Sequence, residues 1–311
     1  MTERAGRVGV IGVGAMGLAL AQRLAERGHD LAVTDVDPTR MAAAGAAGLP
    51  TEADAAALAG RCDRLIVVVV DAQQVRDALF GPGGAFDAVQ AGPARPARVR
   101  RVLLCPTIGP ADVEAVAERL SALGVACLEA PMSGGPRRAR DGTMSLMVAG
   151  DPEQVAAEQT LLGDLSDRLV MLGPRLGDGA RVKLVNNLLA AAHLAAAAEA
   201  FRLANAVGLD PATVLDVLER SSGQSWIASD RMRRWLAART EGRPVSPGSL
   251  PVHAALALLA KDSRLAAEMA EAAGLSLEVT APAVRAFADA AGDGREGWDD
   301  AHLLDWMRMR P

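Results

Sequence analysis

The sequence predicts an α/β domain built on a doubly wound parallel sheet, followed by an all-α domain, the two joined through a long helix. Three observations predict it. In the first half, short β-rich apolar runs alternate with helical stretches, the order that yields a parallel sheet covered on both faces. After Pro174 that alternation ends and helical patterns dominate. Between the two regimes, from about Arg181 to Asn205, lies one greasy, alanine-rich helix that Gly208 closes.

RVGVI (7–11) reads as a strand, 16–27 as a helix stopped by Gly28, and LAVTD (31–35) as the next strand. RLIVVVV (64–70), RVLLC (101–105) and VACLEA (125–130) follow, with helical patterns between them, and SLMVAG (145–150) and RLVMLG (168–173) read as further strands. Beyond the long helix, helical patterns cover 211–220, 225–239, 252–273, 279–291 and 299–309, with TEGRPVSPGSLP (240–251) as a Pro/Gly/Ser loop. No repeat of fixed period is present. The expected domains are 1–176, carrying the sheet, and 177–311, all helical.

A chain of 311 residues, half of them hydrophobic, is long enough for two domains of ordinary soluble protein. A net charge of -5 without a basic stripe argues against a nucleic-acid partner. The longest strongly apolar run, Leu65–Val70, is too short to cross a membrane, and MTERAGR leads directly into a strand, so neither a membrane span nor a signal peptide is expected. Cys62, Cys105 and Cys127 are scattered and lack metal-ligand spacing. The expectation is a reduced, cytoplasmic protein with no metal site.

VIGVGAMG (10–17) sets Gly12, Gly14 and Gly17 in the G-x-G-x-x-G spacing, with Val13, Ala15 and Met16 between them, after a strand and opening a helix. The first glycine makes a tight turn, the second lets backbone approach a pyrophosphate, and the third lets helix pack on strand. Asp35 ends the next strand about twenty residues on, where a carboxylate accepts ribose hydroxyls. The pattern predicts a Rossmann-type dinucleotide site. Asp35 would repel a 2′-phosphate, and Val36 and Asp37 supply no arginine to meet one, so NAD is favoured over NADP.

EAPMSGGPRRARDGTM (129–144) places Ser133, Gly134 and Gly135 in a loop after a strand, offering a hydroxyl and unhindered N–H groups to a substrate carboxylate; a plain glycine turn is the alternative. Arg137, Arg138 and Arg140 read as a solvated loop edge, or as partners for a second anionic group. In GDGARVKLVNN (177–187), Lys183 and Asn187 are four apart and project from one helix face. A lysine partly desolvated beside a nicotinamide can exchange a proton with a substrate oxygen; otherwise it is a solvated lysine on a helix's first turn. His193 lies off that face and is assigned to core packing, and His29, His253 and His302 form no visible triad.

GVGAMG, PTIGP (106–110), EAPMSGG, GDGARVKLVNN and KDSRLA (261–266) occur in this order across essentially the whole chain. Together they resemble the 3-hydroxyisobutyrate dehydrogenase, or β-hydroxyacid dehydrogenase, family. The resemblance implies an NAD-dependent oxidoreductase acting on the CH–OH group of a small hydroxy acid. It implies Lys183 as general acid/base, Asn187 beside it, and Ser133, Gly134 and Gly135 as the carboxylate site. It also implies that Val69, Val70 and Thr107 line the cofactor, that Lys261 reaches the nicotinamide side, and that Trp226 walls the substrate pocket. SSGQSWIASDRM (221–232) and VVVVDAQQVRDALFG (67–81) are similar to the L-threonate dehydrogenase branch, with tartronate semialdehyde (2-hydroxy-3-oxopropionate) reductases next to it. The chain departs from that branch around Ile227–Arg231 and in HAALALLAKD (253–262). The alanine-rich helix has more apolar surface than one small domain covers, so a homodimer or homotetramer is expected.

Three other readings compete. A non-catalytic dinucleotide-binding relative would be expected to lose the lysine. Imine-reducing relatives generally carry another residue at the lysine's position. A 6-phosphogluconate dehydrogenase would be longer, with a histidine in the segment before the lysine, and GDGARVK has none.

Overall fold

The computed structural model describes residues 6–87, 98–240, 250 and 252–309. The loop expected over 240–251 lies outside the described residues except for Thr240, which ends a helix, and Leu250. The chain divides into two compact units, Met1–Lys183 and Leu184–Pro311.

In the first unit, β1 (Val8–Ile11), β2 (Leu31–Thr34), β3 (Arg64–Val67), β4 (Arg101–Leu104) and β5 (Ala126–Glu129) form one parallel sheet in the order β2-β1-β3-β4-β5. Alternate side chains go to opposite faces, as the pleat requires. Val8, Val10, Ile66 and Leu103 enter one apolar cluster. Ile11, Leu65, Val67, Val102 and Leu104 enter the other. This two-sided burial explains why the strands read as continuous apolar runs.

The run RLIVVVV leaves the sheet earlier than its composition suggests. Val68 N–H still reaches the Ile11 carbonyl at 2.8 Å, but the chain after Ile11 turns away at Gly12, φ 92°, and the ladder ends. β6 (Met132–Ser133), β7 (Ser145–Val148) and β8 (Arg168–Met171) form a separate three-stranded sheet, β6 antiparallel and β8 parallel to β7.

The helices of this unit are α1 (Ala15–Glu26), α2 (Pro38–Ala46), α3 (Ala55–Ala59), α4 (Ala72–Phe80), α5 (Pro110–Ala122), α6 (Gly135–Asp141), α7 (Pro152–Ala157) and α8 (Gln159–Leu165). Side chains of Asp37, Asp54, Asp71 and Asp151 cap α2, α3, α4 and α7 by accepting backbone N–H groups of the first turn. The arginines expected on a loop edge stand instead on α6. That helix is held against α1, with Arg140 paired to Glu26 and Arg23 Nη1 donating to the Asp141 carbonyl at 3.0 Å.

The long helix α9 (Asp178–Ala206) enters the second unit. Ala191, Leu194, Ala195, Ala198 and Phe201 recur at helical spacing and pack on Met232, Trp235, Leu256, Phe287 and Trp306. α10 (Pro211–Glu219), α11 (Trp226–Thr240), α12 (Leu256–Ala272), α13 (Ala281–Ala290) and α14 (Leu303–Met309) complete this unit. The helix expected over 299–309 is a 3-10 turn, Asp300–His302, followed by α14. Asp299 starts it, its carboxylate accepting from Ala301 N–H at 3.1 Å.

Candidate active site

In the order β2-β1-β3-β4-β5 the winding reverses between β1 and β3, and ligands of doubly wound sheets bind outside the carboxyl ends of the strands at that point. Those ends carry the residues singled out by sequence. Gly12–Gly17 follow β1, Asp35 follows β2, Val69 and Val70 follow β3, and Thr107 follows β4.

The glycine turn fits a dinucleotide on steric grounds. A Cβ on Gly12 would lie 2.3 Å from the Val68 carbonyl oxygen, and one on Gly17 would lie 1.9 Å from that of Gly12. These two glycines hold strand and helix together. Around Gly14 the nearest atom to such a Cβ is Arg40 Nη1 at 3.8 Å, which leaves the middle glycine room for close approach. No side chain caps the first turn of α1, and that turn carries no acidic residue of its own.

Asp35 Oδ2 accepts from Val13 N–H at 2.7 Å and Oδ1 from Asp37 N–H at 2.9 Å. The carboxylate thus braces the glycine turn, and its side chain is 3% exposed. Directly after Asp35 stand Val36 and Asp37, with no arginine. The first turn of α2 folds one back instead, with Arg40 Nη1 3.6 Å from Asp35 Oδ2 and Nε 3.5 Å from Asp37 Oδ2.

Ser133 is the end of a strand rather than part of a loop, paired with Ser145, and Gly135 opens α6. Gly134 (φ 140°) and Gly135 (φ 76°) both adopt backbone conformations that other residues disfavour. At Gly134 a Cβ would also meet Arg138 at 3.1 Å, so the chain turns sharply directly after the serine hydroxyl.

Lys183 is 7% exposed, on the second turn of α9. That removes the reading of a solvated lysine. A lysine takes this cost when its ammonium is paired or used. One turn on, Asn187 Nδ2 donates to Asp262 Oδ2 at 2.6 Å, and Lys261 Nζ stands 2.7 Å from Asp262 Oδ1. Asp262, which sequence reading missed, is buried and orients both residues; its one signal was its place beside Lys261 in KDSRLA. Trp226 opens α11 with 58% of its surface exposed. His193 is exposed rather than in the core, its Nδ1 3.2 Å from Ser225 Oγ. Among the described residues no His/Cys/Asp/Glu cluster could hold a metal ion.

Residues 7–173 match the model of the NAD binding domain of 6-phosphogluconate dehydrogenase, and residues 177–307 that of the NAD-binding region of NADP-dependent 3-hydroxyisobutyrate dehydrogenase. L-threonate dehydrogenase of Cupriavidus necator is 35% identical over 300 residues, 96% of this chain and 94% of that protein. The chain belongs to the 3-hydroxyisobutyrate dehydrogenase family. Another family member, 2-hydroxy-3-oxopropionate reductase of Escherichia coli K12, is 30% identical over 97% of each chain. The crystal structure of a 3-hydroxyisobutyrate dehydrogenase from Salmonella typhimurium superposes with a TM-score of 0.82 at 29% identity, covering 96% of this chain and 99% of that one. The fold is that of the family, and the chain is an NAD(P)-dependent oxidoreductase of small hydroxy acids.

Proposed function

We propose that this family member oxidises a C4 sugar acid of the threonate type with NAD, and that Lys183 is its general acid/base. The observation that carries the reading is the burial of Lys183 on α9, in a segment similar to the family's lysine motif. The likeness to L-threonate dehydrogenase supports the substrate class. When bound, the nicotinamide supplies the redox chemistry as hydride acceptor or donor. The protein supplies orientation and proton transfer. In oxidation Lys183 Nζ takes the proton of the substrate hydroxyl, and in reduction it returns a proton to the carbonyl oxygen.

Gly12, Val13, Gly14, Ala15, Met16 and Gly17 hold the pyrophosphate and Asp35 the adenosine ribose, with Val69, Val70, Thr107 and Lys261 completing the cofactor site. Ser133, Gly134 and Gly135 take the substrate carboxylate, Asn187 its reacting oxygen, and Trp226 its flank. The helical residues from 177 onward carry substrate contacts and self-association, and the protein works in the cytoplasm. The test is NAD reduction across a panel of C3–C5 hydroxy acids including threonate, glycerate and 3-hydroxyisobutyrate. Threonate is expected to give the highest kcat/KM. A higher value for glycerate or 3-hydroxyisobutyrate would move the chain to one of its sister activities, and cofactor binding without turnover on any acid would make it a binding protein.

A further inference from the structure

We propose that Glu129 is a positioning residue for Lys183, its buried carboxylate clamping the first turn of α9 and so fixing where the lysine's ammonium lies. The proposal rests on the reading of Lys183 as the proton-transfer group. Glu129 is the last residue of β5 and is 2% exposed. Its Oε2 accepts from Gly177 N–H at 2.8 Å and Gly179 N–H at 3.1 Å, and its Oε1 from Ala180 N–H at 2.5 Å. Such N–H groups are those that the start of a helix leaves without intrahelical partners.

The chain has a cheaper way to satisfy a helix start. It caps α2, α3, α4, α7 and α10 with the aspartate immediately before each helix. At α9 it uses a carboxylate from about fifty positions earlier, and it buries that charge to do so. Burial pushes the Glu129 carboxyl above its ordinary range, against the three N–H donors and the more distant Arg181. A local cap makes a helix. A cap from a strand of the sheet also says where the helix must stand.

The seat has no slack. A Cβ on Gly179 would lie 2.8 Å from Glu129 Cδ and 3.0 Å from both the Met147 carbonyl oxygen and Pro131 Cδ. Glu129 itself is held by its backbone, which exchanges two 2.9 Å hydrogen bonds with Ala149 while β5 pairs with β4. From Ala180 to Lys183 is less than one turn of regular helix. Any tilt or rotation of the first turn is therefore passed directly to Lys183.

The experiment compares Glu129→Gln, Glu129→Asp, Lys183→Ala and the double variant Glu129→Gln/Lys183→Ala for kcat, KM, cofactor affinity and Tm. Glutamine keeps the shape but offers one acceptor oxygen and sets an amide N–H₂ against a backbone donor. Its kcat is expected to fall about 30-fold with KM and NAD affinity within about threefold, the scale set by misplacing a reacting group by under 1 Å. Glu129→Asp, still anionic but one methylene shorter, is expected to fall between Glu129→Gln and wild type. On the Lys183→Ala background the glutamine change should cost less than about threefold, because there is no lysine left to misplace.

Losses that multiply in the double variant, or a lowered Tm with unchanged kcat per folded molecule, would overturn the role of Glu129 alone. A wild-type rate in Lys183→Ala would overturn the lysine reading itself. If Glu129→Gln does not fold, Glu129→Asp carries the same test, with its loss confined to kcat and absent without Lys183.

Discussion

Asp35 has a structural part that its place in the sequence does not announce. As an acid at the end of β2 it reads as a ribose acceptor, and its oxygens also fasten the glycine turn through Val13 and Asp37. Arg40 beside it changes the expected size of the cofactor preference. A 2′-phosphate would meet a like charge at Asp35 and an opposite one at Arg40, so the penalty is set near 1.4 kcal/mol rather than twice that, about tenfold in kcat/KM. NAD is expected to be favoured by about that factor, and Arg40→Ala to widen the gap severalfold. Equal kcat/KM with both cofactors in the wild type would contradict this. The glycines and Asp35 stand out in the sequence through a spacing with a local physical meaning, and Lys183 and Asn187 through the resemblance of GDGARVKLVNN to a family motif. Glu129, Asp262 and Arg40 do not stand out. Glu129 meets Gly177 across 48 positions and Asp262 meets Asn187 across 75, and no local pattern records such pairs.

At the scale of elements, the parallel strands were legible from their apolar runs, because both faces of the sheet are buried. The second sheet was not, since SLMV and RLVM carry the same signal and nothing in it says which sheet a strand joins. PRRAR read as a loop because its charges mask a short helix, whose contacts with Glu26 and Arg23 of α1 come from more than a hundred positions away. The turn at Asp299 shows the same long-range logic in the helical unit. Its carboxylate accepts from Arg234 Nη1 at 3.0 Å, His253 N–H at 2.8 Å, Ala254 N–H at 3.2 Å and Ala301 N–H at 3.1 Å. Burial alone would push this carboxyl up, but Arg234 and the backbone donors outweigh it and hold it below the usual aspartate range. A depressed carboxyl adds stability that is present above its unfolded value and is lost as pH falls through the folded one. Asp299→Asn is therefore expected to lose about 3 kcal/mol at pH 7, with the difference from wild type shrinking below about pH 4. Urea unfolding of both proteins at pH 7 and pH 3.5 checks it, and a constant difference would contradict it.

For the whole molecule, α9 has the length and apolar composition of a membrane-crossing helix, but within the helical unit one of its faces packs on the core. Another face shows Val185, Leu189 and Leu203, each more than half exposed. Such a stripe fits burial against a second copy of the chain. Light scattering at micromolar concentration is expected to give at least a dimer, and a monomer mass would contradict that. The division of the chain into two units falls immediately after Lys183, so the helix that carries the lysine belongs to both. The central claim is that this lysine moves the proton. The direct measurement is stopped-flow formation of NADH by Lys183→Ala at saturating NAD and hydroxy acid. The rate is expected to fall by about 10²–10⁴ with NAD affinity nearly intact, and Lys183→Arg, whose guanidinium stays protonated, is expected to give no rescue. A rate within about threefold of wild type, far below the usual worth of a positioned acid or base, would contradict it.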